Sequence, residues 1–233
     1  MGADMNETQF YLLQVNDALF PIGAYSHSQG LETYIQKGIV HDEATAEEYI
    51  SHKLRWNLAY TDLLAVRLAY ERAQAEDLAG LMRLEDLLAA SRLPMEQREA
   101  SRKMGSRFAK TIQKLEINGL GAVFSEYLAA RSRKPMTHCC IYGVFCAALG
   151  IGLDDALSHY LYAQTSAMVT NCVKTIPLSQ SAGQKLLSSC YNSFQEILSS
   201  VREWTEEDLC LSAPGFDLRG IQHEKLYSRL YMS

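Results

Sequence analysis

The sequence of 233 residues is poor in several features that identify common classes of protein. No stretch approaches the roughly 20 consecutive apolar residues that would span a bilayer. Positive charge is also in deficit, because the formal net charge is -5, whereas a nucleic-acid-binding surface needs a surplus of Lys and Arg on one face. We therefore expect neither a membrane nor a nucleic acid among the partners.

Cysteine pairs with disulfide or zinc spacing are missing as well. The chain has six cysteines and no CxxC pair: Cys139, Cys140, Cys146, Cys172, Cys190 and Cys210. Most of them lie in segments with an apolar helical pattern. Reduced Cys in such a pattern behaves as a small hydrophobic residue. The N-terminal residues lack the basic and apolar regions of a signal peptide. These features predict a reducing, cytoplasmic location.

Strand signals are nearly absent, since apolar and polar residues do not alternate with a period of two. Apolar residues recur instead at helical spacing, and no Pro/Gly/Ser-rich linker divides the chain. We expect one all-α domain over residues 1–233, a bundle of roughly eight to ten helices. The predicted helices cover about 45–74, 76–91, 95–116, 139–149, 154–174 and an amphipathic stripe over 187–201.

Capping patterns fix some of the expected helix ends. Thr45 with Glu48 three residues later fits a capping box, and Asp154 is a candidate cap for the following long helix. Cys139 to Leu149 is apolar on every side, which predicts the central buried helix. Ser101, Gly105 and Ala109 form a ridge of small residues that predicts close helix packing.

Two segments do not have helical pattern, and binding residues are often found in such segments. One is Phe20 to Glu32, and the other is Thr205 to Gly220, followed by the terminal His223 to Ser233. The terminal segment mixes apolar side chains with Lys and Arg, which suits either a frayed end or a tail that orders on a partner protein. Composition leaves both readings open.

Catalytic and metal-binding patterns are weak. Ser28 and Gly30 supply half of a GxSxG nucleophile motif, but Ser26 replaces the first Gly and no strand precedes it, so a hydrolase is a minor alternative. His138, Cys139 and Cys140 diverge around a helix and cannot close on one ion. We expect no catalytic residue and no dedicated metal site within one chain; the weak metal candidates are His27 and His223.

Four ordered blocks carry a family resemblance. Asp17 to Ile35, Glu99 to Phe108, Val169 to Leu187 and His223 to Ser233 together resemble the urease accessory protein F family. This resemblance implies an all-helical, cytosolic homodimer that acts as a scaffold or chaperone and is not an enzyme. The implied partners are urease accessory protein D/H, the accessory GTPase G and urease apoprotein. Together they are expected to carry out GTP-dependent nickel insertion. The resemblance further implies that no cofactor is bound tightly and that the complex as a whole handles nickel.

The resemblance also implies partner-binding residues, in a motif segment within 1–33, a central block and a C-terminal tail at 221–233. These are Phe20, Pro21, Gly23, Tyr25, Ser26, Ser28, Gly30, Glu32, Lys174, Gln180, Gln184, His223, Glu224, Tyr227, Arg229, Leu230 and Tyr231. A GTPase-activating or fidelity role is the alternative. Lys174 stands where the family often has Arg, and Lys cannot make a bidentate guanidinium contact, which weakens an arginine-finger mechanism.

Overall fold

The structure, a computed structural model, describes residues 5–211 and 213–233, which form helices and turns with no β-strand among them. The α-helices are α1 Met5–Asn16, α2 Leu31–Gln36, α3 Glu43–Lys53, α4 Leu64–Gln74, α5 Leu78–Ser91, α6 Met95–Leu115, α7 Ala122–Ala130, α8 His138–Ala148, α9 Leu153–Thr175, α10 Gln180–Glu203 and α11 Pro214–His223. A π-helical stretch, Leu54–Leu63, joins α3 to α4 in one rod. Counting this rod once gives ten helices in the described residues, so the predicted all-α bundle is confirmed.

Helix α8 is the centre of the core, as its composition predicts. Every residue from His138 to Cys146 is buried, and α8 packs against α4 and α6. The backbones of α4 and α8 are in close contact at Gly143, where an added Cβ would lie 2.5 Å from the carbonyl oxygen of Val66. No helix in the described ranges is both long enough and apolar enough to cross a membrane.

A carboxylate from another helix caps the start of α8, which no local pattern predicts. Glu85 of α5 is fully buried, and its two oxygens accept the backbone N–H of Thr137 at 3.1 and 3.0 Å. The hydroxyl of Tyr127 donates to the same carboxylate. Burial raises the pKa of Glu85, while these hydrogen bonds lower it, and the net shift is upward. A negative group at a helix N-terminus also interacts favourably with the helix dipole.

The structure differs from three of the expectations, two about helix caps and one about a whole helix. The cap of α3 is Asp42, whose carboxylate accepts the N–H of Thr45 at 2.9 Å, so Thr45 is the third residue of the box rather than its cap. Helix α9 is capped by Gly152, and Asp154 lies in its first turn and pairs with Arg202 at 2.7 Å. The third difference is α11.

Residues 214–223 are helical, whereas the sequence had suggested an irregular segment. Pro214 is the first residue of α11, a position at which a helix tolerates a missing N–H. The turn-like composition around Pro214 therefore marks a helix start. This helix carries the tail back toward the motif segment.

The ridge of small residues on α6 does permit a close approach. A Cβ at Gly105 would lie 2.2 Å from the carbonyl oxygen of Met136. The neighbour is thus the segment that leads into α8, which places the start of the central helix against α6.

Candidate partner-binding site

Residues 224–233 of the tail lie against residues 20–36, which include part of the motif segment. Backbone hydrogen bonds join Met232 N to Ser26 O at 2.8 Å and Ser28 N to Ser233 O at 2.6 Å. The side-chain amide of Gln36 donates to Ser228 O at 2.7 Å. The tail is therefore packed against its own chain, through both backbone and side-chain hydrogen bonds.

Glu32 is the centre of this contact. Its side chain is buried, and its carboxylate oxygens accept the backbone N–H groups of Leu230 at 2.6 Å and Tyr231 at 2.9 Å. Hydrogen bonds to an ionised acceptor are stronger than those between neutral groups. Glu32 thus fixes the backbone of two successive tail residues, and the side chain of Tyr231 is buried with them.

His223 bridges two carboxylates at the end of α11. Its Nε2 is 3.1 Å from Glu32 Oε2 and its Nδ1 is 2.6 Å from Glu96 Oε2. Each ring nitrogen of His223 therefore has a carboxylate oxygen within hydrogen-bonding distance. Arg229 forms an ion pair with the other oxygen of Glu96. We call these four residues, Glu32, Glu96, His223 and Arg229, the clasp.

The clasp brings two carboxylates together with the imidazole of His223 and the guanidinium of Arg229. The side chain of His223 is completely buried within it. Both ring nitrogens of His223 are used by carboxylates in this arrangement. In the described residues, no group of three or more His, Cys, Asp or Glu is arranged to hold a metal ion.

Glycine allows α11 to approach the rest of the site. A Cβ at Gly220 would lie 2.6 Å from Gln97 Nε2 and 2.7 Å from Pro94 Cγ, at the start of α6. Gly30, opposite it, has a φ of +89°, which other residues rarely adopt. Gly30 thus provides the left-handed turn before α2, and Gly220 allows α11 to pack closely on the start of α6.

The serines of the motif segment have structural partners. Ser28 is buried, and its hydroxyl donates to Ser233 O at 2.8 Å. The Nδ1 of His27 is 2.9 Å from the Ser233 hydroxyl, and burial, assisted by Lys103 and Arg107, lowers the pKa of His27. Ser26 donates to Gly23 O at 2.8 Å. No geometry here favours the hydrolase alternative.

The tail presents three apolar side chains to solvent. Tyr227, Leu230 and Met232 are 105%, 68% and 58% exposed, whereas Tyr231 and Ser233 between and after them are buried. We call the three exposed residues the tail face. Composition had drawn attention to Tyr227 and Leu230, but Met232 was missed, because its exposure depends on the tail being extended along the motif segment.

The remaining predicted residues lie in different environments. Phe20 lies in the core, with its ring centre 5.6 Å from that of Phe108, and therefore contributes to core packing. Pro21 and Tyr25 are exposed on the motif segment. Glu224 accepts the N–H of Met95 at 3.0 Å and helps to hold the tail.

The predicted central block is separate from the clasp. Lys174, Gln180 and Gln184 are exposed at the end of α9 and the start of α10. In the part of the chain that the structure describes, no hydrogen bond or ion pair links them to the tail. Asn171, one turn before Lys174, does contact the motif segment, donating to His27 O at 3.1 Å.

Comparison with protein families agrees with this architecture. The family model described as UreF matches residues 40–191, which is 152 of the 233 residues. The match includes the central helix and Glu96, whereas the motif segment and the tail lie outside it. The chain therefore belongs to the UreF family, and its role is that of a urease accessory protein.

Proposed function

We propose that this protein is a scaffold in urease maturation. In this proposal it bridges accessory protein D/H and the GTPase G, so that GTP-dependent nickel insertion into urease apoprotein can occur. It works as a homodimer in the cytoplasm, has no catalytic centre of its own and binds no cofactor tightly. The complex as a whole carries the nickel.

The observation that supports this role is the ordered tail. A partner that binds Tyr227, Leu230 and Met232 meets two residues whose backbone is already held, Leu230 by Glu32 and Met232 by Ser26. Ordering a flexible segment on binding costs conformational free energy, and preorganisation removes much of that cost. Tyr and Arg are also common among residues that dominate binding energy. The tail face therefore suits a protein partner, and we assign it to D/H.

Other exposed apolar residues lie on α11 and at the start of α6. Leu218 and Ile221 of α11 are 49% and 41% exposed, and Met95, whose N–H is bonded to Glu224, is 51% exposed. Contiguous apolar surface on a folded protein often marks a contact with another protein. We propose that α11 and the tail form one contact surface.

The central block would serve a different contact. Lys174, Gln180 and Gln184 are exposed and polar, and their side chains make no bonds to the clasp in the described residues. A scaffold that joins two proteins needs two surfaces. We assign this block to contact with the remaining assembly, so that variants in it should leave D/H binding intact.

A direct GTPase-activating role has less support. Arg229 would have to leave its ion pair with Glu96 to reach the nucleotide of a partner. Lys174 has the wrong side chain for a bidentate contact. No feature of the described residues favours this role over that of a scaffold.

Reconstitution from purified proteins tests the proposal. We expect this chain, D/H and G to co-elute as one complex, and expect D/H and G to elute apart when this chain is omitted. Sedimentation equilibrium on the chain alone tests the homodimer. Co-elution of D/H with G in its absence would contradict the bridging role.

A further inference from the structure

A row of basic side chains runs along one face of α6, beyond the clasp residue Glu96. Four exposed residues are spaced by four, three and four positions, which places them on the same face of the helix: Lys103, Arg107, Lys110 and Lys114. At about 1.5 Å of rise per residue, the row is about 16 Å long. We call these four residues the basic stripe. Its charge is opposite in sign to the formal net charge of the chain, which is -5.

The acidic residues of α6 are engaged with other partners. The helix contains six basic residues and two acidic ones. Glu96 pairs with His223 and Arg229 in the clasp, and Glu99 pairs with Arg102 at 2.8 Å. In the part of the chain that the structure describes, no ion pair joins a carboxylate to any residue of the basic stripe.

The elements packed against the middle and the end of α6 do not neutralise the basic stripe. Helix α8 contains no acidic residue, and the segment that leads into it carries Arg133 and Lys134. Asp17, just before the motif residues, accepts the N–H of Leu19 at 2.7 Å within its own turn. Glu116 follows the last residue of α6, and no ion pair within the described ranges joins it to the stripe.

The positive charge of the basic stripe acts on the neighbouring motif segment. Burial lowers the pKa of His27, and Lys103 and Arg107 lower it further, whereas Glu96 acts in the opposite direction. The side of the motif segment that faces α6 is therefore positive. A surface of this kind attracts carboxylates of another molecule.

Stabilisation of the helix accounts for only one end of the basic stripe. Lys114 lies in the last turn of α6, where a cation interacts favourably with the helix dipole. That effect falls off within one turn, so it does not explain Lys103 or Arg107. The guanidinium of Arg107 is also held in place, because its Nη1 donates to Ile22 O at 3.3 Å and lies where a Cβ of Gly23 would be. A guanidinium that is already positioned loses less freedom when it binds a carboxylate.

Exposed apolar residues border the basic stripe at Arg107. Leu19 and Tyr25 are 89% and 71% exposed, and Pro21 is also exposed. All three lie within three residues of Ile22, whose carbonyl contacts Arg107. Tyr beside Arg is a common combination among residues that dominate protein–protein binding energy. The mixture of apolar and basic groups favours a protein partner over a nucleic acid, which needs a broader surplus of cations.

We propose that the basic stripe, together with Pro21 and Tyr25, binds an acidic segment of a partner protein. Its Asp or Glu side chains pair with the stripe, and an apolar side chain packs on Tyr25. This contact is additional to those assigned to the tail face and the central block and does not depend on them. Because the paired groups are exposed, the affinity should fall as the salt concentration rises.

The probe is a labelled synthetic peptide of Glu, Leu and Phe, with a matched peptide that has Lys in place of each Glu. Fluorescence anisotropy with the full chain gives the two dissociation constants, without any urease component. We expect the Glu peptide to bind more tightly than the Lys peptide. General attraction to a chain with a net charge of -5 would give the opposite order, so the comparison separates a local site from the overall charge.

Matched charge variants locate the site. Lys103→Gln/Lys110→Gln should weaken binding of the Glu peptide by about threefold or more, as expected for two exposed ion pairs. Lys37→Gln/Lys185→Gln removes the same charge from exposed positions outside the stripe and should have less effect. Tyr25→Ala should weaken binding by about fivefold or more. Gln has nearly the helix propensity of Lys, so the variants should keep the fold.

Three results would overturn the proposal. The first is tighter binding of the Lys peptide than of the Glu peptide. The second is parental affinity for the Glu peptide in Lys103→Gln/Lys110→Gln or in Tyr25→Ala. The third is tighter binding of a labelled thymidine oligonucleotide than of the Glu peptide, with both lost in the Lys103→Gln/Lys110→Gln variant, since this would make the stripe a nucleic-acid site.

Discussion

The carboxylate of Glu32 and the imidazole of His223 lie in contact, with Oε2 and Nε2 3.1 Å apart, although 191 residues separate them in the sequence. The same carboxylate accepts the backbone N–H groups of Leu230 and Tyr231. One buried acid therefore joins the motif segment, α11 and the tail. The shape of the tail face depends on it.

Removing the Glu32 carboxylate should release the tail. Glu32→Ala deletes both acceptors and leaves His223 with one carboxylate partner, and each hydrogen bond to a charged group contributes about 1.5–3 kcal/mol. We expect hydrogen exchange at the amides of Leu230 and Tyr231 to become at least about tenfold faster. Glu47→Ala, at an exposed site with no bonded partner in the described residues, is the control and should leave both rates unchanged. Unchanged rates in Glu32→Ala would show that the tail is held by other contacts.

Glu85 should be essential to the stability of the core. In Glu85→Gln the amide oxygen can still accept from Tyr127 and Thr137, but the NH2 group replaces the second carboxylate oxygen, so a donor faces the N–H of Thr137 at the start of α8. A buried hydrogen-bonding group that is left unsatisfied costs about 1–3 kcal/mol. Urea denaturation should show a loss of that size, compared with less than about 0.5 kcal/mol for the exposed Glu126→Gln. A small change in Glu85→Gln would contradict the capping role.

Two glycine substitutions should have opposite effects. Gly105→Ala places a Cβ 2.2 Å from the carbonyl oxygen of Met136, so the backbone must move and the fold is destabilised. Gly215, in the first turn of α11, has no atom within 4 Å of an added Cβ, so Gly215→Ala should be neutral or stabilise by up to about 1 kcal/mol. Thermal melts of the two variants test this pair. Equal melting temperatures would refute the close packing at Gly105.

His138 should make stability fall in mild acid. Burial lowers its pKa to about 4, against 6.5 for the exposed side chain, so the unfolded chain binds more protons between these values. The contribution of His138 is complete above pH 6.5 and is lost as the pH falls toward 4, by about 2–3 kcal/mol at pH 4.5. In His138→Phe the unfolding free energy should drop less between pH 7 and 4.5 than in the parent chain. The exposed His52→Gln should keep the parent slope, and an unaltered slope in His138→Phe would contradict the shift.

The local sequence predicted most of the helices, because the periodic spacing of apolar residues is contained within each helical segment. Helix α8 is an example, since its apolar composition on all sides predicts its central place. Helix α11 was missed because Pro214 and Gly215 look like a turn, although Pro also begins helices. Composition singled out both halves of the site, yet it held no information on their contact. That contact depends on pairs such as Glu32 and His223, which only the tertiary fold brings together.

The central claim is that D/H binds the tail face, and the affinity of D/H for variants of this face tests the claim most directly. The measurement is the dissociation constant of D/H for the double variant Tyr227→Ala/Leu230→Ala, beside the parent chain and Leu13→Ala, an exposed apolar residue of α1. Because these side chains are exposed, all three proteins should melt at the same temperature. The account predicts that the double variant binds D/H at least about 30-fold more weakly, equivalent to about 2 kcal/mol, while Leu13→Ala binds as the parent does. Equal affinity of the double variant and the parent would contradict it.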